Sequence, residues 1–142
     1  MRKRTLAREY ALQILYQQEM NPEELQDTLT AFWRDQERVP PEIKDYAELV
    51  VKGTLDHVQD LDQIITKYAD NWQLHRMAAV DRNILRLSAY EMLYRDDIPP
   101  KVSINEAVNM AKKFSQLDSG KFVNGILDKI SHSEKPSTAK PQ

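Results

Sequence analysis

Apolar residues recur at helical spacing through almost every segment of this chain, and no sustained period-two alternation appears between turn residues. The pattern predicts an all-α protein. A first helix is expected from about Thr5 to Glu19. Leu6, Tyr10 and Ile14 form one apolar stripe and Ala7, Ala11 and Leu15 an adjacent one, while Arg8, Glu9, Gln13 and Gln17 fall elsewhere. The Asn21-Pro22 pair ends it and is expected to open the second helix. Asn21 would accept from orphan N–H groups, Pro22 suits the first helical position, and Glu23 and Glu24 complement the positive end of the dipole. Leu25, Leu29, Phe32 and Trp33 would be its buried face.

Val39-Pro40-Pro41 stops that helix, because a residue before proline avoids the α region, and Pro41 can open a third. The third carries Ile43, Tyr46, Ala47, Val50, Val51 and Leu55, with Gly53 inside it at a cost of about 1 kcal/mol against alanine. A short fourth helix follows with Leu61, Ile64, Ile65 and Tyr68, then an irregular stretch around Asn71 and Trp72. The most hydrophobic helix holds Val80, Ile84, Leu85, Leu87, Ala89, Met92 and Leu93, and Pro99-Pro100 closes it. Ser103 and Glu106 have the spacing of a capping box, which predicts a helix through Phe114 with Ala107, Met110, Ala111 and Phe114 inward. Asp118 is placed to cap a last helix with Phe122, Val123, Ile126, Leu127 and Ile130 inward. One domain over residues 1–130 is expected, and the polar, proline-bearing residues 131–142 read as a disordered tail.

Composition narrows the function classes. At 142 residues and 41% hydrophobic content the chain can bury a real core. No apolar run approaches the roughly 18 residues that span a bilayer, and the basic start lacks the apolar stretch of a signal peptide, so no membrane association is expected and the cytoplasm is the default location. With no cysteine, disulfides, thiol nucleophiles, zinc ribbons and iron–sulfur ligation are excluded. His57, His75 and His132 are too scattered for a helical metal pair. Ser119-Gly120-Lys121 lacks the upstream glycine and the preceding strand of a phosphate loop. No nucleophile elbow, H-E-x-x-H or dinucleotide fingerprint occurs, so no catalytic residue, metal or cofactor is assigned.

The net charge of −2 places any nucleic-acid site in a local concentration of positive charge. Arg2, Lys3, Arg4 and Arg8 form one, opposed only by Glu9. Guanidinium forks bind phosphate oxygens bidentately, and a helix N-terminus adds its own partial charge; the competing reading is a solvated, mobile terminus. Tyr16, two turns beyond Arg8, is a candidate base-stacking platform, although an isolated tyrosine is more often boundary packing. At the start of the last helix, Asp118, Ser119 and Gly120 leave backbone N–H groups free beside Lys121 and Phe122.

Four stretches carry a family resemblance: AREYALQILYQQEM (Ala7 to Met20), VDRNILRLSAYEML (Val80 to Leu93), PPKVSINEAVNMAKKF (Pro99 to Phe114) and DSGKFVNGILDKI (Asp118 to Ile130). Together they resemble the NusB family of bacterial transcription antitermination factors, whereas residues 21–73 agree only in helical pattern. The resemblance implies about seven helices in two small packed bundles, no enzymatic activity and no cofactor. It also implies binding of boxA-type single-stranded RNA together with the small-subunit ribosomal protein NusE, and assembly on RNA polymerase with further Nus factors to suppress premature termination, notably in ribosomal RNA operons.

Residue by residue, the family's arginine-rich RNA-binding motif falls on Arg4 and Arg8, with Arg2 and Lys3 beside them. A threonine and a leucine stand where some members carry further arginines. The RNA-contacting tyrosine matches Tyr16, and the loop and helix start that meet boxA match Asp118, Ser119, Lys121 and Phe122. The acidic contact to the ribosomal partner corresponds to Asp81, an aspartate where some members have glutamate. Some members self-associate through the RNA face, so monomer and homodimer both stay open. Two other classes share parts of the pattern: ribosomal RNA cytosine methyltransferases with a NusB-like N-terminal domain, which need an α/β domain and a catalytic cysteine, and a purely protein-binding helical adaptor.

Overall fold

The computed structural model describes residues 2–70 and 72–134. Seven α-helices follow in order: α1 (Lys3–Met20), α2 (Leu25–Arg34), α3 (Pro41–Asp56), α4 (Val58–Tyr68), α5 (Ala79–Tyr94), α6 (Pro100–Phe114) and α7 (Ser119–Ser133). A single 3-10 turn, Leu74–Arg76, precedes α5, and no strand occurs among the described residues. The all-α class and the helix number agree with the sequence pattern. The chain divides into two compact units, one ending at Gly53 and the other beginning at Thr54, within the last turns of α3.

In the first unit α1 packs on α2. Tyr10, Phe32 and Trp33 meet edge to face, with centroids 5.1 to 5.9 Å apart. That geometry suits the ring quadrupoles. The Trp33 indole N–H donates to Glu48 Oε2 of α3 at 2.8 Å, so the polar end of a half-buried ring is satisfied. Asn21 does not open α2. It is the C-cap of α1, its backbone N–H donating to Gln17, and α2 begins later at Leu25 with no side-chain cap.

In the second unit α5 packs against α4, α6 and α7, and α6 and α7 make the most extensive pairing. Ile84, Leu85, Leu87 and Ala89 of α5 are fully buried, in keeping with a helix enclosed on three sides. The expected capping box is overturned. Pro99 is the N-cap of α6 and Pro100 its first residue, because proline's fixed φ and missing N–H fit that position. Ser103 is therefore interior to the helix, and its hydroxyl donates at 3.0 Å to the wholly buried carboxylate of Glu91 on α5.

The helix α7 continues through Ser133, three residues into the stretch read as a tail, while residues 135–142 lie outside the described residues. At its end, Glu134 accepts from the hydroxyl of Tyr68 and from Lys67 Nζ, both on α4. These hydrogen bonds, the one from Tyr68 foremost, hold the Glu134 carboxyl below the usual carboxylate range, and the same carboxylate raises Lys67.

Candidate nucleic-acid interface

Two groups of expected site residues fall in different units. In the first unit, Arg2, Lys3 and Arg4 stand exposed where α1 begins. Lys3 pairs with Glu42 at the start of α3, both side chains exposed. Such a pair contributes little and gives way readily to a competing anion. The Arg4 guanidinium lies 4.4 Å from the centre of the Tyr46 ring, a cation–π contact that settles the side chain's direction.

Arg8 departs from expectation. It is 3% exposed, with its guanidinium 5.8 Å from the same ring. The reason is its place on the helix. Ala11, Leu12 and Leu15, one and two turns further on, are all buried, so Arg8 belongs to an inward stripe that the reading of two adjacent stripes did not include. Tyr16 is 41% exposed.

In the second unit the backbone builds a cleft. The chain leaves α4 through Asp70, whose φ of 54° is the left-handed conformation that ends helices and that aspartate tolerates better than most residues. Trp72 follows, exposed. Arg82 of α5 then ties the 3-10 turn down by donating to the carbonyls of Leu74 at 3.2 Å and Met77 at 2.8 Å, which places Arg76 beside the start of α5. Across from it, α6 ends at Phe114 and the chain re-enters a helix at Ser119. The space between these segments is an open cleft of about 330 Å³, lined by Trp72, Arg76, Asp81, Asp118, Ser119 and Phe122 among others.

Inside the cleft the expected residues separate by environment. Phe122 is half-buried, its ring edge to face with Trp72 at 6.1 Å, and Lys121 is exposed. Ser119 is buried, and its hydroxyl donates to Asp81 Oδ2 at 3.1 Å. Its single proton is thereby used, so in the 2.9 Å hydrogen bond between Ser115 and Ser119 the donor is Ser115. Asp118 occupies the N-cap position of α7, yet its backbone is helical in φ and ψ and its side chain makes no capping hydrogen bond. The expected cap is right in position and wrong in mechanism. Asp81, on the first turn of α5, is 8% exposed.

The sequence reading missed three participants. Periodicity puts Tyr46 only in the core and Trp72 only in an irregular stretch, and gives Arg76 no role. A tryptophan followed four residues later by an arginine in a segment without helical periodicity was the available signal for the last two.

Among the described residues no helix is long and apolar enough to cross a membrane, and no group of three or more His, Cys, Asp or Glu side chains is placed to hold a metal ion. Comparison with known proteins gives one consistent result. The NusB family profile matches residues 5–132. The transcription antitermination protein NusB of Thermodesulfovibrio yellowstonii is 48% identical over 141 residues, covering 93% of each chain. That of Desulfitobacterium hafniense is 50% identical over 129 residues, covering 89% of this chain and 86% of the relative. Among solved structures, T. maritima NusB superposes with a TM-score of 0.84 at 35% identity, over 96% of this chain and 94% of that one. A chain from the crystal structure of antitermination factors NusB and NusE in complex with dsRNA gives 0.85 at 28% identity, over 94% and 98%. Matched along nearly its whole described length in sequence and in helix order, the chain belongs to the NusB family of transcription antitermination proteins.

Proposed function

We propose that this chain acts as an antitermination factor that binds unpaired, boxA-type RNA together with the NusE-type ribosomal protein, in the cytoplasm, as a binding protein and not an enzyme. The observation that carries the reading is the start of α1, where Arg2, Lys3 and Arg4 are exposed in a chain of net charge −2 and Arg4 is steadied on Tyr46. Phosphate contact makes use of this geometry, since a cation already held in one direction loses less freedom on binding. The structural likeness to a NusB seen with NusE and dsRNA supports it.

Lys121 and the half-buried ring of Phe122 supply a charge and a stacking face at the second group. Arg8 and Ser119, both buried, serve as positioning residues, the first beneath Tyr46 and the second against Asp81. Asp81, 8% exposed in the wall of the open cleft, is kept as the acidic contact to the ribosomal partner that the resemblance implies.

A gel-shift experiment with boxA-type RNA, a scrambled control, and the ribosomal partner added or withheld tests the reading. The expected result is a preference for the boxA-type RNA of about tenfold or more, strengthened by the partner. Equal retardation of both RNAs, with and without the partner, would overturn it. Binding to the partner alone would favour the protein-adaptor reading.

A further inference from the structure

In the first unit, the Lys3–Glu42 and Arg4–Tyr46 contacts join the start of α1 to the start of α3. The first turn of α1 holds no acidic residue, so the positive end of its dipole has no carboxylate of its own. Glu9, which opposes the basic cluster in sequence, is only 8% exposed and does not stand in the path of a polyanion. Glu42 does. It lies 39 positions further along the chain, in the first turn of α3 behind Pro41, and its Oε1 accepts from Lys3 Nζ. The two side chains are 65% and 62% exposed, so the pair is open to exchange with solvent and with other anions. A carboxylate oxygen on an exposed ammonium, beside a helix N-terminus, occupies the position that suits a phosphate oxygen.

We propose that Glu42 is a built-in competitor of RNA for Lys3, which holds the basic start of α1 below its full affinity until a phosphate displaces the carboxylate. The inference rests on the RNA-binding reading above. Lys3 meets a phosphate only while it is unpaired, so the apparent affinity is reduced by the fraction of chains in which the pair is open. A lysine suits such an exchange. Its ammonium is a compact point charge with three rotatable donors on a flexible stem, and it passes from one oxygen anion to another without a fixed geometry to rebuild. Glu42 loses little in return, because an exposed carboxylate at the start of α3 keeps its water and its favourable place at the positive end of that helix.

The test is a double-mutant cycle on the full chain, with the ribosomal partner present, titrated with boxA-type RNA at low salt. Glu42→Gln, which keeps the size of the side chain, should tighten binding about two- to fivefold, the range an exposed ion pair commands. In a Lys3→Ala chain, itself a weaker binder, the same change should bring no gain, because the cation competed for is gone. Asp45→Asn removes an equal charge from an exposed position of the same helix and should change affinity less than Glu42→Gln does. Unchanged or weakened binding by Glu42→Gln overturns the proposal. A gain that persists in full in the Lys3→Ala chain, or one that Asp45→Asn equals, overturns it too, in favour of general repulsion between the chain's acidic groups and RNA. If the unaltered chain binds boxA-type RNA no better than a scrambled RNA, the RNA-binding reading itself fails and the proposal with it.

Discussion

At the start of α1, exposed positive charges cluster at a helix end, and Lys3 spends part of its charge on a comparably exposed Glu42. At the cleft of the second unit a carboxylate is 8% exposed, half satisfied, and walled by two rings. The first arrangement attracts any polyanion and weakens with salt; the second responds to the shape and donor pattern of what enters. If both groups contact RNA as proposed, affinity and selectivity become separable, because the two groups sit in different solvent environments.

The sharpest way to break that comparison lies within the basic cluster. Arg8→Ala should cost about 1–3 kcal/mol of stability, since a buried stem and its seat beneath Tyr46 are lost, whereas Arg2→Ala should stay within about 0.5 kcal/mol of the unaltered chain. Urea denaturation of both variants decides it. Equal stabilities would return Arg8 to the exposed group.

Phe122→Ala comes next. One base–aromatic stack is worth about 1–3 kcal/mol of binding, and a half-buried ring should cost less stability than the roughly 3–5 kcal/mol of a fully buried phenylalanine. Fluorescence titration with RNA and a thermal melt should show both; a full core-sized loss with RNA affinity intact would make the ring structural only. For the basic start, replacing Arg2 and Arg4 together should flatten the dependence of log affinity on log salt by about 1.4, from about 0.7 per phosphate neutralised on single strands. An unchanged slope in a folded variant would remove phosphate contact from these residues.

The smallest effect concerns Asp118. Its side chain caps nothing, so Asp118→Asn should leave the melting temperature unchanged. Removing a like charge from the path of the phosphates should tighten RNA binding about two- to fivefold. Weaker binding by this variant would identify the carboxylate as an acceptor for RNA.

Helix identity was legible in the sequence because periodicity reports burial directly: Ile84, Leu85 and Leu87 could hardly face water, and they do not. Helix starts were less so. Asn21, Ser103 and Asp118 all carry cap chemistry, and none uses its side chain to cap a helix in the way expected. Such residues satisfy a backbone end only when no stronger local preference intervenes, and Pro100 supplies one for α6. The resemblance brought Asp81, Ser119 and Phe122 into view, but periodicity could not show that Asp81 and Ser119 are bonded to each other across 38 positions of sequence. Arg76 carries no periodic signal because its placement depends on Arg82 holding the carbonyls of Leu74 and Met77, and Trp72 reads only as irregular because its contact with Phe122 is tertiary.

The contact between Ser103 and Glu91 has a consequence for how α6 can sit on α5. Glu91 is wholly buried and Ser103 nearly so, and a carboxylate there must find donors or carry an uncompensated desolvation. Sliding α6 by one helical turn, about 5.4 Å, would move the serine away from the carboxylate and leave that desolvation unreturned. The buried hydroxyl–carboxylate pair therefore adds a directional constraint to the apolar packing of α6 on α5 and favours the register in which the two groups meet.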